Sequence, residues 1–439
     1  MTDAELRDEV VGLAQALIRL DTSNPPGNET PAAELLAEYL GAAGVDCELI
    51  GPDPERLNLV GRVAGRGGAP SLMLMAHTDV VPASSTDWTV GPFEGVVRDG
   101  RLVGRGAADM KGELAARAVA IATLARSGRR PAGDVVLVAE SDEERNTADV
   151  GMSWLVRERD DLRCDFALNE GGGVLLELAD GRRVVTVSLG EKRVTSLRLR
   201  LFGRAAHASI PDGADNPLRH LATAVDRLLA ARAPTRLVPA VASALEALGA
   251  PSGSADEAIA WAGAQHPVLA DLLPAMTRMT VTPTGSRTFE PANVIPPFAD
   301  LICDCRALPG QAERDIREHV DRALGGGLRY ELDLLEPLEG GTESPTDTPL
   351  YRALEGYVAD RVPGATLFPF IDTGFSDSHW VRAAHGTVAY GFAPVLHGEV
   401  EAYLDSPHAA DEALEVADLV EMTSFHLEAI AALGRSDPD

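Results

Sequence analysis

The chain has 439 residues, and 39 Lys and Arg against 67 Asp and Glu give it a formal net charge of −28. Hydrophobic residues make up 45% and charged residues 24%, a composition typical of globular proteins, and the length suits two or three domains. Because nucleic acids and anionic membranes bind clustered positive charge, this balance argues against both as partners.

The first half of the chain predicts alternating helices and strands. Helical apolar spacing occurs at residues 5–20 and 31–43. An Ala-rich helix is predicted at residues 111–127, among short apolar runs of strand length at residues 58–63, 71–76, 134–139 and 166–168. Strands separated by helices imply βαβ units, so we expect an α/β fold with a mixed, mostly parallel sheet and helices on both faces.

The pattern changes after about residue 190. Apolar and polar residues alternate from Ser196 to Leu201, as in a half-exposed antiparallel strand. The rest of this block predicts helices at 217–231 and 312–324, a helical insertion at 240–264, and strands at 299–306 and 328–335. We therefore predict a separate α+β domain.

This α+β domain is expected at residues 190–337, inserted into a catalytic domain formed by residues 1–189 and 338–439. The later catalytic segment predicts a helix, a buried strand and a long closing helix, at residues 350–362, 387–392 and 410–433. The working architecture is thus one domain interrupted by another.

Several features predict a cytoplasmic protein. No apolar run reaches the roughly 20 residues of a membrane helix, and the acidic N-terminal segment lacks the apolar core of a secretory signal. Four cysteines in this length do not form a disulfide framework: Cys47, Cys164, Cys303 and Cys305. The last two are interpreted as buried thiols on one face of a strand, since no second pair with metal-ligand spacing occurs.

Candidate metal ligands follow three of the early strands. His77 and Asp79 follow the second predicted strand, and an acidic run at residues 140–144 follows the third. Glu170 follows the fourth, and Asp109 precedes the Ala-rich helix. Because sites in open α/β sheets form outside the carboxyl ends of the strands, these side chains are expected to meet.

Histidine with carboxylates and no cysteine suits Zn²⁺, Co²⁺ or Mn²⁺. Asp79, two residues after His77, can reach the imidazole nitrogen that does not bind metal. The anions of the 142–144 run repel one another unless cations neutralise them, and a pair of divalent ions would do so. One glutamate could then bind metal while its neighbour stays free as a general base for the attacking water.

Eight short motifs in chain order carry a family resemblance. They are His77-Thr-Asp-Val-Val-Pro, Gly104-Arg-Gly-x-x-Asp-x-Lys-Gly, Asp142-Glu-Glu, Asn169-Glu-Gly-Gly, Gly203-Arg-Ala-Ala-His-Ala-Ser, Asn293-Val-Ile-Pro, Asp304-x-Arg and His408-Ala-Ala-Asp-Glu. Over nearly its whole length the sequence resembles the co-catalytic di-zinc amidohydrolases. That superfamily includes aminoacylase, acetylornithine deacetylase, succinyl-diaminopimelate desuccinylase, and glutamate and Gly-X carboxypeptidases.

The resemblance implies a ligand set for two divalent ions, Zn²⁺ first and Co²⁺ or Mn²⁺ as alternatives. His77, Asp109 and Glu170 would hold one ion. The other would be held by Asp109, which bridges, with Glu144 and His408. Glu143 would be the general base and acid, and Asp79 would orient His77.

The resemblance also implies substrate-binding residues. His207, in an inserted lid that often dimerises, would stabilise the oxyanion, in some relatives from the partner subunit. Arg306 and Asn293 would bind the substrate's carboxylate or scissile carbonyl. The family's carboxylate-binding Gly-Gly-Thr-Asp loop appears here as Gly374-Phe-Ser-Asp, which makes Gly374 and Ser376 candidates and leaves substrate identity open.

Two ligand positions have alternatives. Asp165 competes with Glu170, which is preferred because the three glycines after it suit a loop that lets a metal approach. His379 and His397 compete with His408, which is preferred because it stands four residues before Glu412, as in the family. Five histidines in helical or surface patterns are given no site role: His220, His266, His319, His385 and His426.

We therefore expect a dinuclear metal-dependent hydrolase of an N-acyl amino acid or a small peptide with a free carboxylate. Deacylase and carboxypeptidase activities remain equally open, and a homodimer through the lid is possible. One alternative is a non-catalytic ligand-binding homologue of the same fold. A second is an enzyme that uses a single metal, which would not need Asp109 as a bridge.

Overall fold

The computed structural model describes residues 2–288 and 291–435. Their helices are α1 (Asp3–Ile18), α2 (Thr30–Ala42), α3 (Lys111–Arg126), α4 (Met152–Glu158), α5 (Pro217–Ala230), α6 (Pro239–Ala247), α7 (Ala255–Gln265), α8 (Pro267–Met276), α9 (Glu313–Leu324), α10 (Pro349–Arg361), α11 (Ser378–His385), α12 (Val400–Leu404) and α13 (Val416–Leu433). None of the helices within these two ranges combines the length and apolar character that a membrane crossing requires.

The strands are β1 (Asp46–Ile50), β2 (Asn58–Val63), β3 (Leu72–His77), β4 (Val96–Arg98), β5 (Arg101–Val103), β6 (Val135–Glu140), β7 (Phe166–Asn169), β8 (Gly172–Glu177), β9 (Arg183–Glu191), β10 (Arg193–Phe202), β11 (Ala206–His207), β12 (Thr280–Arg287), β13 (Val294–Ile295), β14 (Phe298–Ala307), β15 (Tyr330–Leu334), β16 (Glu339–Gly340), β17 (Thr366–Asp372), β18 (Val388–Gly391) and β19 (Ala413–Glu415).

The chain divides into two compact units. The first comprises residues 1–190, 344–370 and 376–439, and the second comprises residues 191–343 and 371–375. The segment predicted as an inserted domain ended at residue 337, whereas the second unit extends to residue 343 and takes in a short later stretch. That the second unit acts as a lid stays a prediction.

The main sheet of the first unit has the order β1-β2-β6-β3-β7-β18-β9-β17, and β8 pairs with β9. Its centre is parallel, because β3 pairs in parallel with β6 and β7, and β7 pairs in parallel with β18. The pairs toward the edges, β1 with β2, β2 with β6 and β18 with β9, are antiparallel. The predicted mixed, mostly parallel α/β fold is confirmed.

Helices cover both faces of this sheet. Met73 and Met75 of β3 and Val136 and Val138 of β6 form one apolar face, which packs against α4, a short 3₁₀ turn at residues 160–162, and α11. On the other side α3 contacts β3 and β6 and packs against α1 and α13. Every residue of α3 from Lys111 to Ala122 is buried, so the helix that follows Asp109 is held inside the fold.

The second unit is an antiparallel sheet of order β12-β14-β10-β15 with helices packed on it. The alternation predicted for β10 is confirmed, since Leu197, Leu199 and Leu201 are fully buried in its core. Cys303 and Cys305 of β14 lie in the same core as free thiols, as predicted. One face of the sheet, which carries these buried leucines and thiols, therefore packs against the helices of this unit.

The closing helix predicted at residues 410–433 begins too early. Residues Ala413 and Leu414 belong to β19, where they pair with Val103 and Leu102 of β5, and α13 begins only at Val416. These residues satisfy their backbone groups in a ladder with a distant strand rather than within a helix. The difference matters because Glu412, at the head of that ladder, lies next to the candidate site.

Candidate metal centre

The carboxyl ends of three adjacent parallel strands bring the predicted ligands together. His77 ends β3 and lies opposite Glu140, the last residue of β6, while Leu74 lies opposite Leu168 of β7. The residues that follow these strands, Glu143 and Glu170 among them, therefore emerge at one edge of the sheet. This edge is the one predicted from the sequence.

Asp109 reaches the same place from the turn before α3. The turn is tight: a Cβ on Gly112 would lie 2.2 Å from the carbonyl oxygen of Ala107. Only glycine fits such a close backbone approach. Gly106 has a φ of 85°, which is a second position that favours glycine. These two glycines explain the spacing of the Gly104-Arg-Gly-x-x-Asp-x-Lys-Gly motif.

Two groups of three side chains have ligand atoms within 4.8 Å of one another, and they share Asp109. In the first group, His77 Nε2 lies 3.0 Å from Asp109 Oδ1 and 3.7 Å from Glu170 Oε2. In the second, His408 Nε2 lies 3.1 Å from Asp109 Oδ2 and 3.2 Å from Glu144 Oε2. Each oxygen of the shared carboxylate therefore faces a different histidine.

The field of these carboxylates is strongly negative. Hydrogen bonds to Asp109 and Glu144 raise the pKa of His408 to about 10. Burial alone would lower the pKa of His77, but its contacts with Asp109, Asp79 and Glu170 raise it well above the usual value. Burial, and then the charge of Glu170, raises the pKa of Glu143 well above its usual value.

The two groups fit divalent cations by their donor chemistry. Each offers one imidazole nitrogen and carboxylate oxygens, the set that Zn²⁺, Co²⁺ and Mn²⁺ prefer. A field that raises the pKa of both histidines also attracts metal cations, which compete with protons for the ring nitrogens. A carboxylate whose two oxygens face different donor groups suits a pair of ions about 3.5–4 Å apart.

Asp79 contacts His77 through its main chain and its carboxylate. His77 Nδ1 lies 2.9 Å from the main-chain carbonyl oxygen of Asp79 and 3.6 Å from its carboxylate. The carboxylate also accepts the backbone N–H groups of Glu143 and Glu144, each over 3.2 Å. Asp79 is fully buried. It therefore faces the ring nitrogen named in the prediction and also fixes the Glu143–Glu144 loop; that it orients His77 for metal binding stays a prediction.

Residues that the sequence did not single out support the same loop. The Asn24 amide donates to Asp79 Oδ2 and to Asp142 Oδ1, both over 2.9 Å. Arg56, itself paired with Glu29, donates to Asp142 Oδ1 over 3.2 Å. No spacing rule points to Asn24 or Arg56, because their roles come from contacts between distant segments.

The geometry favours the preferred ligand at both positions that had alternatives. The Asp165 carboxylate accepts the backbone N–H and the hydroxyl of Ser71, each over 2.8 Å. Among the residues that the structure describes, the ligand groups include His408 and neither His379 nor His397. His408 lies directly before a chain reversal, with a φ of 65°.

The three glycines after Glu170 adopt backbone conformations that favour glycine. All three have positive φ, between 77° and 88°. A Cβ on Gly172 would lie 2.6 Å from the carbonyl oxygen of Gly391, and one on Gly173 would lie 1.8 Å from that of Ala393. Gly172 and Gly173 therefore allow backbones to pack closely where β8 begins, and that the loop also lets a metal approach stays a prediction.

Three further candidates, His207, Asn293 and Arg306, lie in the 191–343 segment of the second unit. The pairing of β11 with β13 places His207 opposite Val294, and the Asn293 carbonyl accepts the N–H of Ala208 over 2.9 Å. His207 and Asn293 are exposed neighbours. Arg306 on β14 donates to Asp304, with Nε 3.0 Å from Oδ1 and 3.1 Å from Oδ2.

The loop at 374–377 is largely engaged in internal hydrogen bonds. The Gly374 N–H donates to Asp372 Oδ1 over 2.9 Å. Ser376 is buried, and its hydroxyl accepts the amide of Asn169 over 3.0 Å and donates to Ser378 over 3.3 Å. These bonds favour a role for Ser376 in tying its loop to β7 rather than in binding substrate directly.

Comparison with known proteins agrees with this geometry. The description Peptidase family M20/M25/M40 matches residues 73–432. The chain belongs to the M20/M25/M40 peptidase family. This membership confirms the predicted superfamily and makes the protein a metal-dependent hydrolase of amide bonds. Nothing in the matches supports the non-catalytic alternative.

Relatives of this M20 family chain match it nearly end to end. A succinyl-diaminopimelate desuccinylase of Methylobacterium radiotolerans is 28% identical and covers 97% of this chain and 96% of its own. One of Acidiphilium cryptum is 32% identical, with 95% and 96% covered. The structure of the M20 metallo-carboxypeptidase Sso-CP2 from Sulfolobus solfataricus matches with a TM-score of 0.72 at 19% identity, with 97% and 99% covered.

Proposed function

We propose that the two residue groups that share Asp109 are the catalytic metal centre, and that two ions bind there together. His77, Asp109 and Glu170 would hold one ion, and Asp109, Glu144 and His408 the other. The single observation that carries this proposal is the shared carboxylate, whose Oδ1 faces His77 and whose Oδ2 faces His408. A one-metal enzyme would not need that arrangement. Zn²⁺ is the first candidate, with Co²⁺ and Mn²⁺ as alternatives.

Glu143 is the proposed general base. When bound, the ions supply a water of lowered pKa and polarise the carbonyl that is attacked. Glu143 Oε2 lies 3.9 Å from His77 Nε2, next to the first group without belonging to it. Its burial desolvates the carboxylate, which favours uptake of a proton. It takes the proton of the attacking water and returns it to the leaving amine.

His207 is the proposed donor to the oxyanion of the tetrahedral intermediate. Its Nδ1 accepts the backbone N–H of Ser209 over 3.2 Å and lies 2.7 Å from the Ser209 hydroxyl. A ring nitrogen that accepts a backbone N–H carries no proton, so the neutral ring has its proton on Nε2. That nitrogen is then a hydrogen-bond donor, as stabilisation of an oxyanion requires.

The proposed substrate is an N-acyl amino acid with a free carboxylate, and N-succinyl-diaminopimelate is the first compound to try. Curated relatives at 28–32% identity over nearly the whole chain are named succinyl-diaminopimelate desuccinylases. Arg306 and Asn293, with the loop at Gly374, would bind substrate carboxylates or the scissile carbonyl. Against a net charge of −28, an anionic substrate needs local cations, for which Arg306 and the bound ions are the candidates.

We further propose a cytoplasmic homodimer formed through the second unit, with His207 supplied by the same chain or by its partner. Mixing a Glu143→Gln chain with a His207→Ala chain separates the two cases. If His207 acts across the dimer, mixed dimers have one intact site and regain activity. If it acts within one chain, mixing restores nothing. Sedimentation of the wild-type protein checks the dimer itself.

A substrate panel tests the proposed activity. The protein, loaded with Zn²⁺, Co²⁺ or Mn²⁺, is assayed against N-succinyl-diaminopimelate, N-acetyl amino acids and dipeptides, with Glu143→Gln as the matched inactive control. We expect hydrolysis of an N-acyl amino acid by the wild type alone. Cleavage of dipeptides only would reject the deacylase assignment, and no hydrolysis across the panel would reject the proposed function.

A further inference from the structure

A buried ion pair, Arg105 with Glu412, lies beside the two ligand groups without belonging to either. Arg105 Nη1 donates to Glu412 Oε2 over 2.6 Å, and the two side chains are 4% and 0% exposed. Arg105 stands four residues before Asp109, and Glu412 stands four residues after His408. The pair therefore joins the two segments that carry these ligands, although they are about 300 residues apart in the chain.

Glu412 holds the turn from which Asp109 projects. Its Oε1 accepts the backbone N–H groups of Ala108 and Asp109, over 2.8 and 2.9 Å. Its Oε2 accepts the N–H of Gly106 over 3.0 Å, besides the bond from Arg105. A carboxylate with four donors fixes all the groups that it contacts. Because one of them is the N–H of Asp109 itself, the backbone of the shared ligand is fixed.

Arg105 holds His408. Its Nη2 donates to the carbonyl oxygen of His408 over 3.1 Å, and the ring of Trp88 lies over its guanidinium, 5.4 Å from centroid to Cζ. His408 has a φ of 65°, a conformation that a non-glycine residue keeps only where the surrounding contacts hold it. The bond from Arg105 is such a contact, and it acts on a ligand that, like Asp109, lies in a turn rather than at the end of a strand of the main sheet.

The register of β19 against β5 places Glu412 beside the turn before Asp109. β19 and β5 pair with Ala413 opposite Val103, and the ladder continues one step further, where the Gly104 N–H donates to the Glu412 carbonyl over 2.9 Å. A slip by one residue would bring Asp411 or Ala413 to the turn instead. The short strand before α13 thus positions one carboxylate against one turn.

We propose that Arg105 and Glu412 are positioning residues that set the cation affinity of the Asp109–Glu144–His408 group more than that of the other group. This inference rests on the proposed function. The hydrogen bonds of the pair reach His408 and the turn before Asp109, whereas His77 and Glu170 are carried by β3 and by the end of β7. Loss of the pair therefore frees two of the three ligands of the second group, Asp109 and His408, but only Asp109 of the first group.

Titration with Co²⁺ tests this inference without an assay of activity. Binding to the wild type, Arg105→Gln and Glu412→Gln is followed by visible absorption, and bound Co²⁺ is counted after gel filtration. Removal of supporting contacts of this kind weakens metal binding about 10–100-fold. We expect two sites in the wild type, and in each variant the Asp109–Glu144–His408 site weakened by that factor and the other site weakened less. Arg105→Lys, which keeps the charge but not both bonds, should lie between.

Asp418→Asn is the matched control. Asp418 is a fully buried carboxylate that accepts two backbone N–H groups, those of Leu396 and His397, over 2.8 and 3.1 Å. This substitution should lower Tm and leave both Co²⁺ affinities unchanged. If it weakens Co²⁺ binding as Glu412→Gln does, the effect is general loosening of the fold and the inference is wrong.

Two further outcomes would overturn the inference for different reasons. Wild-type affinity at both sites in the Arg105 and Glu412 variants, or equal weakening of the two sites, would reject the positioning role while the proposed function stands. Fewer than two bound Co²⁺ in the wild type itself would reject the proposed two-ion centre, and the inference with it.

Discussion

The candidate residues of the two units differ in how firmly they are held. In the first unit, Asp109, Glu143 and Glu144 are mostly buried, and hydrogen bonds to Asp79 or Glu412 fix the backbone of each. In the second, His207 is exposed, and the nearest support of its ring is Ser209, two residues away. Metal ligands must stand within a few tenths of an ångström of fixed distances, whereas side chains that touch a substrate can adjust when it binds.

This contrast predicts that substitutions of the metal ligands in the first unit change metal content, and that substitutions in the second unit change rate or KM alone. The largest effect is expected for Asp109→Asn, because the amide replaces one of the two oxygens that face the histidines. Both ions should be lost at micromolar concentration. Activity should fall to near the uncatalysed rate, a loss of about 10⁶-fold or more. Metal analysis checks the first result, and two retained ions would contradict the bridge.

Glu143→Gln should give the next largest effect and separates binding from chemistry within the first unit. The amide keeps the size of the side chain but cannot accept the proton. We expect a fall in kcat of about 10²–10⁴-fold with two ions still bound and little change in KM. Metal analysis with steady-state kinetics measures this, and a kcat near that of the wild type would remove Glu143 as the base.

His207→Ala should lower kcat by about 10²–10³-fold, the usual loss for one oxyanion donor, and leave metal content unchanged. His220→Ala is the control, because His220 pairs with Asp215 on the same unit over 2.7 Å and has no proposed role. If the His207 variant loses metal, the contrast between the two units is wrong for this residue.

The smallest effect is expected for Arg306→Gln. An ionic hydrogen bond contributes about 1.5–3 kcal/mol, so loss of one to a substrate carboxylate should raise KM roughly 10–100-fold with kcat little changed. Arg198→Gln provides the control on the same sheet, because Arg198 is similarly exposed and paired with Asp333. An equal rise of KM in the control would indicate a general field effect rather than a specific contact.

Much of the ligand set could be predicted because it depends on local rules. An apolar run of strand length followed by His or Glu places that residue at the edge of a parallel sheet. This rule brought His77, Glu143, Glu144 and Glu170 together before any coordinates. The helix after Asp109 could be predicted by a second local rule, because alanine has the highest helix propensity.

What could not be predicted depends on contacts between distant segments. The sequence predicts a helix where β19 lies, because three residues that pair with β5 leave no periodic signal of their own. Asn24 and Arg56 act by hydrogen bonds to Asp142, about 118 and 86 residues away. Glu412 was visible as part of a motif, but its bonds to the turn at 106–109 follow only from the register of β19.

The central claim is that two ions share Asp109, and anomalous diffraction from crystals of the Zn²⁺-loaded protein tests it most directly. The account predicts two anomalous peaks in each chain, about 3.5–4 Å apart. One peak should lie against His77 and Glu170, and the other against Glu144 and His408, with Asp109 contacting both. A single peak at full Zn²⁺ occupancy, or two peaks that do not share Asp109, would contradict it.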